Sequence, residues 1–235
     1  MSLRTLPAPD ALPLALPADS VCLISSDGTQ LASTLAQRLA DRGVSVVTLH
    51  PPMATVSPEG QPLNGLPDVV LREMGEDVLR DRFTAVTTTY GRVGGLIYLH
   101  PRLPEGEAEV MLDSYRLTMA DYPFLLAKVL QPALTEMRSP RSWFITVTHI
   151  DGVLGLTGCG KGDLIAGGIG GLTKTLRLEW PEVFCRAIDL DPMIDVDRRV
   201  DLILAELSDP NRLIAEVGWR GNGRVTLAAE VECGR

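Results

Sequence analysis

Three histidines, His50, His100 and His149, each follow an apolar run with strand character. In open α/β sheets, ligands bind at the carboxyl ends of the strands. An imidazole there could serve as acid, base or metal ligand. Asp151 lies two residues beyond His149, so His100, His149 and Asp151 form one candidate set for an enzyme working at that edge. The plainer alternative is that strand ends are where polar side chains first become tolerable.

Glycine-bearing segments are the other candidates. Gly155-Leu-Thr-Gly-Cys-Gly160-Lys161-Gly162 has the spacing of a phosphate-binding loop, but Gly162 stands where a hydroxyl would bind Mg²⁺. A loop without that role is the preferred reading. The first strand-to-helix turn, Ser25-Ser26-Asp27-Gly28-Thr29-Gln30-Leu31, has the single glycine Gly28. A dinucleotide turn needs glycines for close backbone approach, and a carboxylate there repels a pyrophosphate. Asp27 reads instead as a helix cap. Gly167-Gly-Ile-Gly-Gly171 falls near a helix start. Each interior glycine costs about 1 kcal/mol relative to alanine, so close approach of another backbone is expected. Either a sheet within the domain or another subunit's helix would fit.

Those candidates need elements to hold them. Val21–Ile24 reads as a strand, and Leu31, Leu35 and Leu39 give helical spacing up to Gly43. Val44–Leu49 is a second strand, which makes a β-α-β opening. Further strands are expected at Asp68–Leu71, Gly95–Leu99, Trp143–Thr148, Phe184–Leu190 and Arg224–Leu227. Helices are expected at Glu76–Tyr90, at Glu105–Met137 with Pro123 bending or breaking it, at Asp163–Glu179 and at Val196–Leu207. The alternation implies a Rossmann-like α/β fold with a doubly wound, mostly parallel sheet. Residues 4–19, with Pro7, Pro9, Pro13 and Pro17, read as an extended linker. The expected organisation is a linker over 1–19, one domain over 20–228 and a tail over 229–235.

Composition narrows the classes. The 235 residues carry a formal charge of −8, with 45% hydrophobic and 22% charged residues. So acidic a chain is a poor nucleic-acid binder. It has no apolar run long enough to cross a membrane, and no convincing signal peptide. Cys22, Cys159, Cys185 and Cys233 have no CxxC spacing, and read as reduced thiols of a cytoplasmic protein.

Gly170-Gly-Leu-Thr-Lys-Thr-Leu-Arg-Leu-Glu179-Trp-Pro, followed by Arg186-Ala-Ile-Asp189-Leu, resembles short-chain dehydrogenases/reductases. More specifically, it resembles the ketoreductase region of polyketide and polyunsaturated fatty acid synthases, as does Leu213-Ile-Ala-Glu216-Val-Gly-Trp-Arg220-Gly. Such ketoreductases have two similar halves: a truncated structural one, and a catalytic one that binds NADPH. In the family pattern a Tyr and a Lys stand four apart on the helix that leads into the Leu-Thr-Lys stretch. Counting back from Thr173, the Lys position is Ala166, the Tyr position is Gly162, and the Ser position is about His149.

None of these can play the family role. The resemblance therefore implies a truncated or degenerate reductase fold with no catalytic, cofactor-binding or metal residues. It also implies no enzyme activity for the fragment alone. NADPH is expected only in an absent catalytic half, which would follow in the parent chain and be the main partner. The parent reaction would be reduction of a β-ketoacyl group on acyl carrier protein. Alternatives are a stand-alone, homo-oligomeric pseudo-reductase scaffold, and an enzyme of another class using His100 and His149. An exposed apolar patch is expected where a partner docks.

Overall fold

A nine-stranded sheet organises the chain, in the order β1-β9-β8-β7-β6-β5-β2-β3-β4. The computed structural model describes residues 2–14, 16, 19–52, 65–101, 113–136, 142–157 and 164–228. The strands are β1 (Ser2–Thr5), β2 (Ser20–Ser25), β3 (Val46–His50), β4 (Asp68–Val70), β5 (Arg92–Leu99), β6 (Trp143–Thr148), β7 (Phe184–Leu190), β8 (Glu216–Arg220) and β9 (Gly223–Ala228). Strands β2 to β8 pair in parallel, while β9 and β1 close one end antiparallel. The helices are α1 (Gln30–Ala40), α2 (Glu76–Tyr90), α3 (Asp113–Glu136), α4 (Leu164–Glu179) and α5 (Val196–Ser208). This is the Rossmann-like, doubly wound architecture expected from the alternation of elements.

Both faces of the sheet are covered, so its central strands are apolar on both sides. On β2, Val21 and Leu23 enter one core with α2, α3 and α4. Cys22 and Ile24 enter the other, with α1 and α5. The same alternation splits Leu96 and Tyr98 from Ile97 and Leu99 on β5. Helix α1 forms because Leu31, Leu35 and Leu39 recur on one face, filled in by Ala32 and Ala36. At the centre Gly95 lies under the Trp143 indole, so any side chain there would collide with the ring.

Several expectations change. Residues 4–19 do not stand free: β1 pairs with β9, and Leu6, Leu14 and Leu16 pack on the core with α1 and α5. Close proline spacing disguised a four-residue strand whose partner lies more than 200 residues away. Strand β8 was read only as part of a motif, because Gly218 interrupts its β-propensity. Helix α3 runs through both Pro123 and Pro132 without ending. The part of the expected helix from Glu105 to residue 112 lies outside the described residues. Cys22 and Cys185 are free and buried, and burial pushes each thiol up to about 12. Cys159 and Cys233 lie outside the described residues. Among the described residues no helix is long and apolar enough to cross a membrane.

Sequence reading missed the largest polar feature. Arg186 on β7 and Arg224 on β9 meet Glu206 and Asp209 at the end of α5, all four buried. Arg186 Nη1 donates to Glu206 Oε2 at 2.6 Å and to Asp209 Oδ2 at 3.0 Å. Arg224 forms a two-pronged contact with Glu206, at 2.8 Å on each side. The Trp219 indole N–H donates to Glu206 Oε1 at 2.8 Å. Arg224 Nη1 also reaches the Pro7 carbonyl at 3.1 Å, which ties down the N-terminal segment. Two cations balance two anions, so the cluster is neutral. Burial acts to raise Asp209, but the Asn211 backbone N–H, then the hydrogen bonds and charge of Arg224 and Arg186, outweigh it and hold Asp209 below the ordinary carboxylate range.

Removing one member leaves the others buried and unpaired, which costs about 3–5 kcal/mol. Glu206→Ala is therefore expected to lower the unfolding free energy by roughly that amount in urea titrations. A loss below about 1 kcal/mol would mean that the cluster does not hold this end of the sheet.

Candidate functional site

Chain direction places the candidate site. After β2 the chain steps to β3 and β4 on one side, then returns to place β5 on the other side of β2. That reversal marks the carboxyl ends of β2 and β5 as the usual ligand position in such sheets. The β2–α1 turn, His100 after β5, and the β6–α4 segment line this edge.

The turn is held by its own side chains. Thr29 is the N-cap of α1, and its hydroxyl accepts from Leu31 N at 3.1 Å. The capping expected of Asp27 therefore falls to Thr29. Asp27 acts one step earlier, where its carboxylate accepts from Thr29 N at 3.1 Å and from the Thr29 hydroxyl at 2.8 Å. Ser26 Oγ accepts from Gly28 N at 3.0 Å, and Gly28 adopts φ +81° to make the turn. Asp27 is only 6% exposed. Burial raises its pKa above the ordinary value, opposed by the bonds from Thr29 and the charge of Arg199.

The histidines separate. His50 pairs with Asp68 at 2.5 Å, on the β3–β4 side of the sheet. His100 is buried, with Nδ1 3.1 Å from the Tyr98 hydroxyl, and its backbone N–H donates to Val147 O at 2.9 Å. Tyr122 of α3 packs edge-on against Tyr98 and lies 3.3 Å from the Ser25 hydroxyl. His100 and His149 thus end neighbouring strands, as expected, and His149 is half-buried. Among the described residues no group of three or more His, Cys, Asp or Glu side chains could hold a metal ion.

Beyond β6, two carboxylates fold the backbone around themselves. Asp189, at the end of β7, accepts from Ile150 N at 2.7 Å and Leu154 N at 2.9 Å. Asp151 accepts from Val153 N, Gly155 N and Thr157 N, and from the Thr157 hydroxyl at 2.7 Å. Asp151 is thus committed to its own loop. Gly152, at φ +71°, lies so close to Gly218 and Trp219 of β8 that a side chain at Gly152 or Gly218 would strike backbone. Burial raises Asp189 to about 6 against its three backbone bonds, and the Asp151 charge adds to the rise. Burial also acts to raise Asp151, but its hydrogen bonds outweigh it and the net shift is downward.

Thr173 docks α4 on β6 through a 2.7 Å contact with the Thr146 hydroxyl. Ala166 lies two turns earlier, about 10 Å along the axis, buried in the first turn of α4. Gly162 and the Cys159–Gly162 end of the phosphate-loop-like segment lie outside the described residues. The glycines of α4 do not meet a sheet, because a side-chain carbon at Gly167, Gly168, Gly170 or Gly171 would find nothing within 4 Å. Leu164 and Leu178, 87% and 78% exposed, flank them on the same side of the helix.

No protein-family model matches this chain. No curated protein matches it. Solved structures do. An apo SCOR enzyme from Clostridium thermocellum is 13% identical, with TM-score 0.65 over 84% of this chain and 89% of that one. A short-chain dehydrogenase from Shigella flexneri 2a, complexed with NADP, is 16% identical, with TM-score 0.60 over 86% and 96%. A metagenomic short-chain oxidoreductase in complex with NADP is 18% identical, with TM-score 0.60 over 85% and 95%.

The fold is thus that of short-chain dehydrogenases and reductases. Two expectations are corrected accordingly: that the fragment alone has no enzyme activity, and that it takes no cofactor. Solved examples of the same fold are oxidoreductases, two of them with NADP in place. The β2–α1 turn, however, does not fit a dinucleotide pyrophosphate as it stands. Gly28 N, Thr29 N and Leu31 N already serve Ser26, Asp27 and Thr29, and Asp27 adds a carboxylate to the turn.

Asp189 gives this site a measurable pH signature. Its folded pKa of about 6 lies above the ordinary 3.8, so it adds stability below pH 4 that is lost as pH rises through about 6. Asp151 is shifted the other way, and its contribution is lost only below its ordinary value. Between pH 4 and 7 the unfolding free energy of wild type should fall by on the order of 1–3 kcal/mol more than that of Asp189→Asn, read from thermal melts. Parallel curves would mean that Asp189 titrates as an ordinary carboxyl.

Proposed function

We propose that this chain is a short-chain-reductase-fold unit of an NADPH-dependent ketoreductase, of the kind built into polyketide and fatty acid synthases. Its role is to brace the half that follows it in the parent chain. The reaction served is reduction of a β-ketoacyl group on acyl carrier protein. The fold supports the oxidoreductase class, and the segments Gly170–Leu190 and Leu213–Gly221 support the synthase setting.

One observation carries the bracing role. The chain spans nearly the full length of solved reductases, yet counting back from Thr173 along α4 brings Ala166 to the place the family resemblance gives to lysine. A methyl group cannot hold a ribose or lower a tyrosine's pKa. Gly162 at the tyrosine position and His149 near the serine position complete the same reading. The open side of α4, with Leu164 and Leu178 around four uncovered glycines, offers a partner a close-packing apolar face. A cytoplasmic location goes with this role.

The test is NADPH binding and ketone reduction by this chain, alone and joined to the polypeptide encoded immediately downstream. Reduction that appears on joining, at least about a hundredfold above the chain alone, supports the bracing role. Equal turnover by the chain alone overturns it, and directs attention to His100, His149 and Tyr98 at the sheet edge.

A further inference from the structure

The β2–α1 turn has a feature that neither the fold nor the ketoreductase reading requires. Three of its amides are already engaged, and the engagement is sequential. Ser26 Oγ takes Gly28 N, Asp27 Oδ1 takes Thr29 N, and Thr29 Oγ1 takes Leu31 N. The second Asp27 oxygen takes the Thr29 hydroxyl proton at 2.8 Å, which aims the Thr29 lone pairs at Leu31. In a nucleotide-binding turn these donors face a diphosphate. Here side chains occupy them from within the chain: the Asp27 carboxylate holds Thr29 N, and the Ser26 and Thr29 hydroxyls hold Gly28 N and Leu31 N. Asp27 is nearly fully buried, and the guanidinium of Arg199 on α5 supplies part of its counter-charge.

We infer that Asp27 is an intrachain stand-in for a phosphate, and that it holds the β2–α1 turn closed against a nucleoside diphosphate. Two effects add. A diphosphate must displace the carboxylate from Thr29 N and Thr29 Oγ1, and it must accept a fixed negative charge at close range. A dinucleotide that binds at the carboxyl ends of β2 and β5 therefore does so with Asp27 displaced or without contact to this turn. The inference concerns this turn alone and stands apart from the ketoreductase reading, because its probe is ADP and no turnover is needed.

Asp27→Asn removes the charge but keeps an oxygen for Thr29 N. Asp27→Gly removes both the charge and the acceptor. Calorimetric titration with ADP should show both variants binding at least about tenfold tighter than wild type, with Asp27→Gly the tighter. Thermal melts check that each variant is folded. The wild-type protein supplies an arm that no folding defect can obscure. As ADP is raised to millimolar levels, the ¹⁵N–¹H signals of Gly28, Thr29 and Leu31 should stay in place. Variants that bind no tighter than wild type would overturn the inference. So would wild-type shifts at those three amides that saturate with ADP. Loss of the bracing role in the joined polypeptide would leave these outcomes unchanged, so the two readings fail separately.

Discussion

The structure turns on one constraint: backbone N–H groups at the carboxyl edge of a parallel sheet must find acceptors where the strands stop. Ladder partners end there, and a buried donor left unpaired costs about 1–3 kcal/mol. In this chain its own carboxylates serve. Asp27 holds the turn after β2, while Asp151 and Asp189 hold the turn after β6. Each closes its loop tightly and brings a negative charge to the edge. What would be an open ring of donors is largely satisfied from within.

The opposite requirement governs the end of the sheet at β7, β8 and β9. There the difficulty is charge within an apolar layer, and it is met by neutrality. Arg186, Arg224, Glu206 and Asp209 hold one another, with Trp219 and the Pro7 carbonyl taking up remaining positions. The arrangement joins β7, α5, β8, β9 and the N-terminal segment into one unit. The glycine pair Gly152 and Gly218 then brings the β6–α4 loop against β8. The carboxyl edge is thus attached to the same unit that carries the charge cluster.

The likeness to short-chain dehydrogenases and reductases extends over nearly the whole chain at 12–18% identity. At that distance the hydrophobic layers carry the likeness while individual polar positions drift. The reductase fold and its NADP-bound examples replace the expectation of a fragment without enzyme activity or cofactor. The Asp27 turn still distinguishes this edge from one that cradles a pyrophosphate.

Most of the fold was legible in the sequence. The Leu31–Leu35–Leu39 spacing, the apolar runs and the strand–helix alternation depend on local periodicity, and periodicity survives without contacts. The resemblance that led to Ala166 was also a matter of counting along one helix. Strand β1 was not legible, because its pairing with β9 depends on a partner far away in sequence. Nor was the charge cluster, since Arg186, Glu206, Asp209 and Arg224 are ordinary charged residues until folding buries them together. The turn shows the division most plainly. That the turn has the single glycine Gly28 beside an aspartate was written in the sequence. That its carboxylate takes Thr29 N, while Thr29 and not Asp27 caps α1, was decided by where the backbone donors point once β2 and α1 are packed.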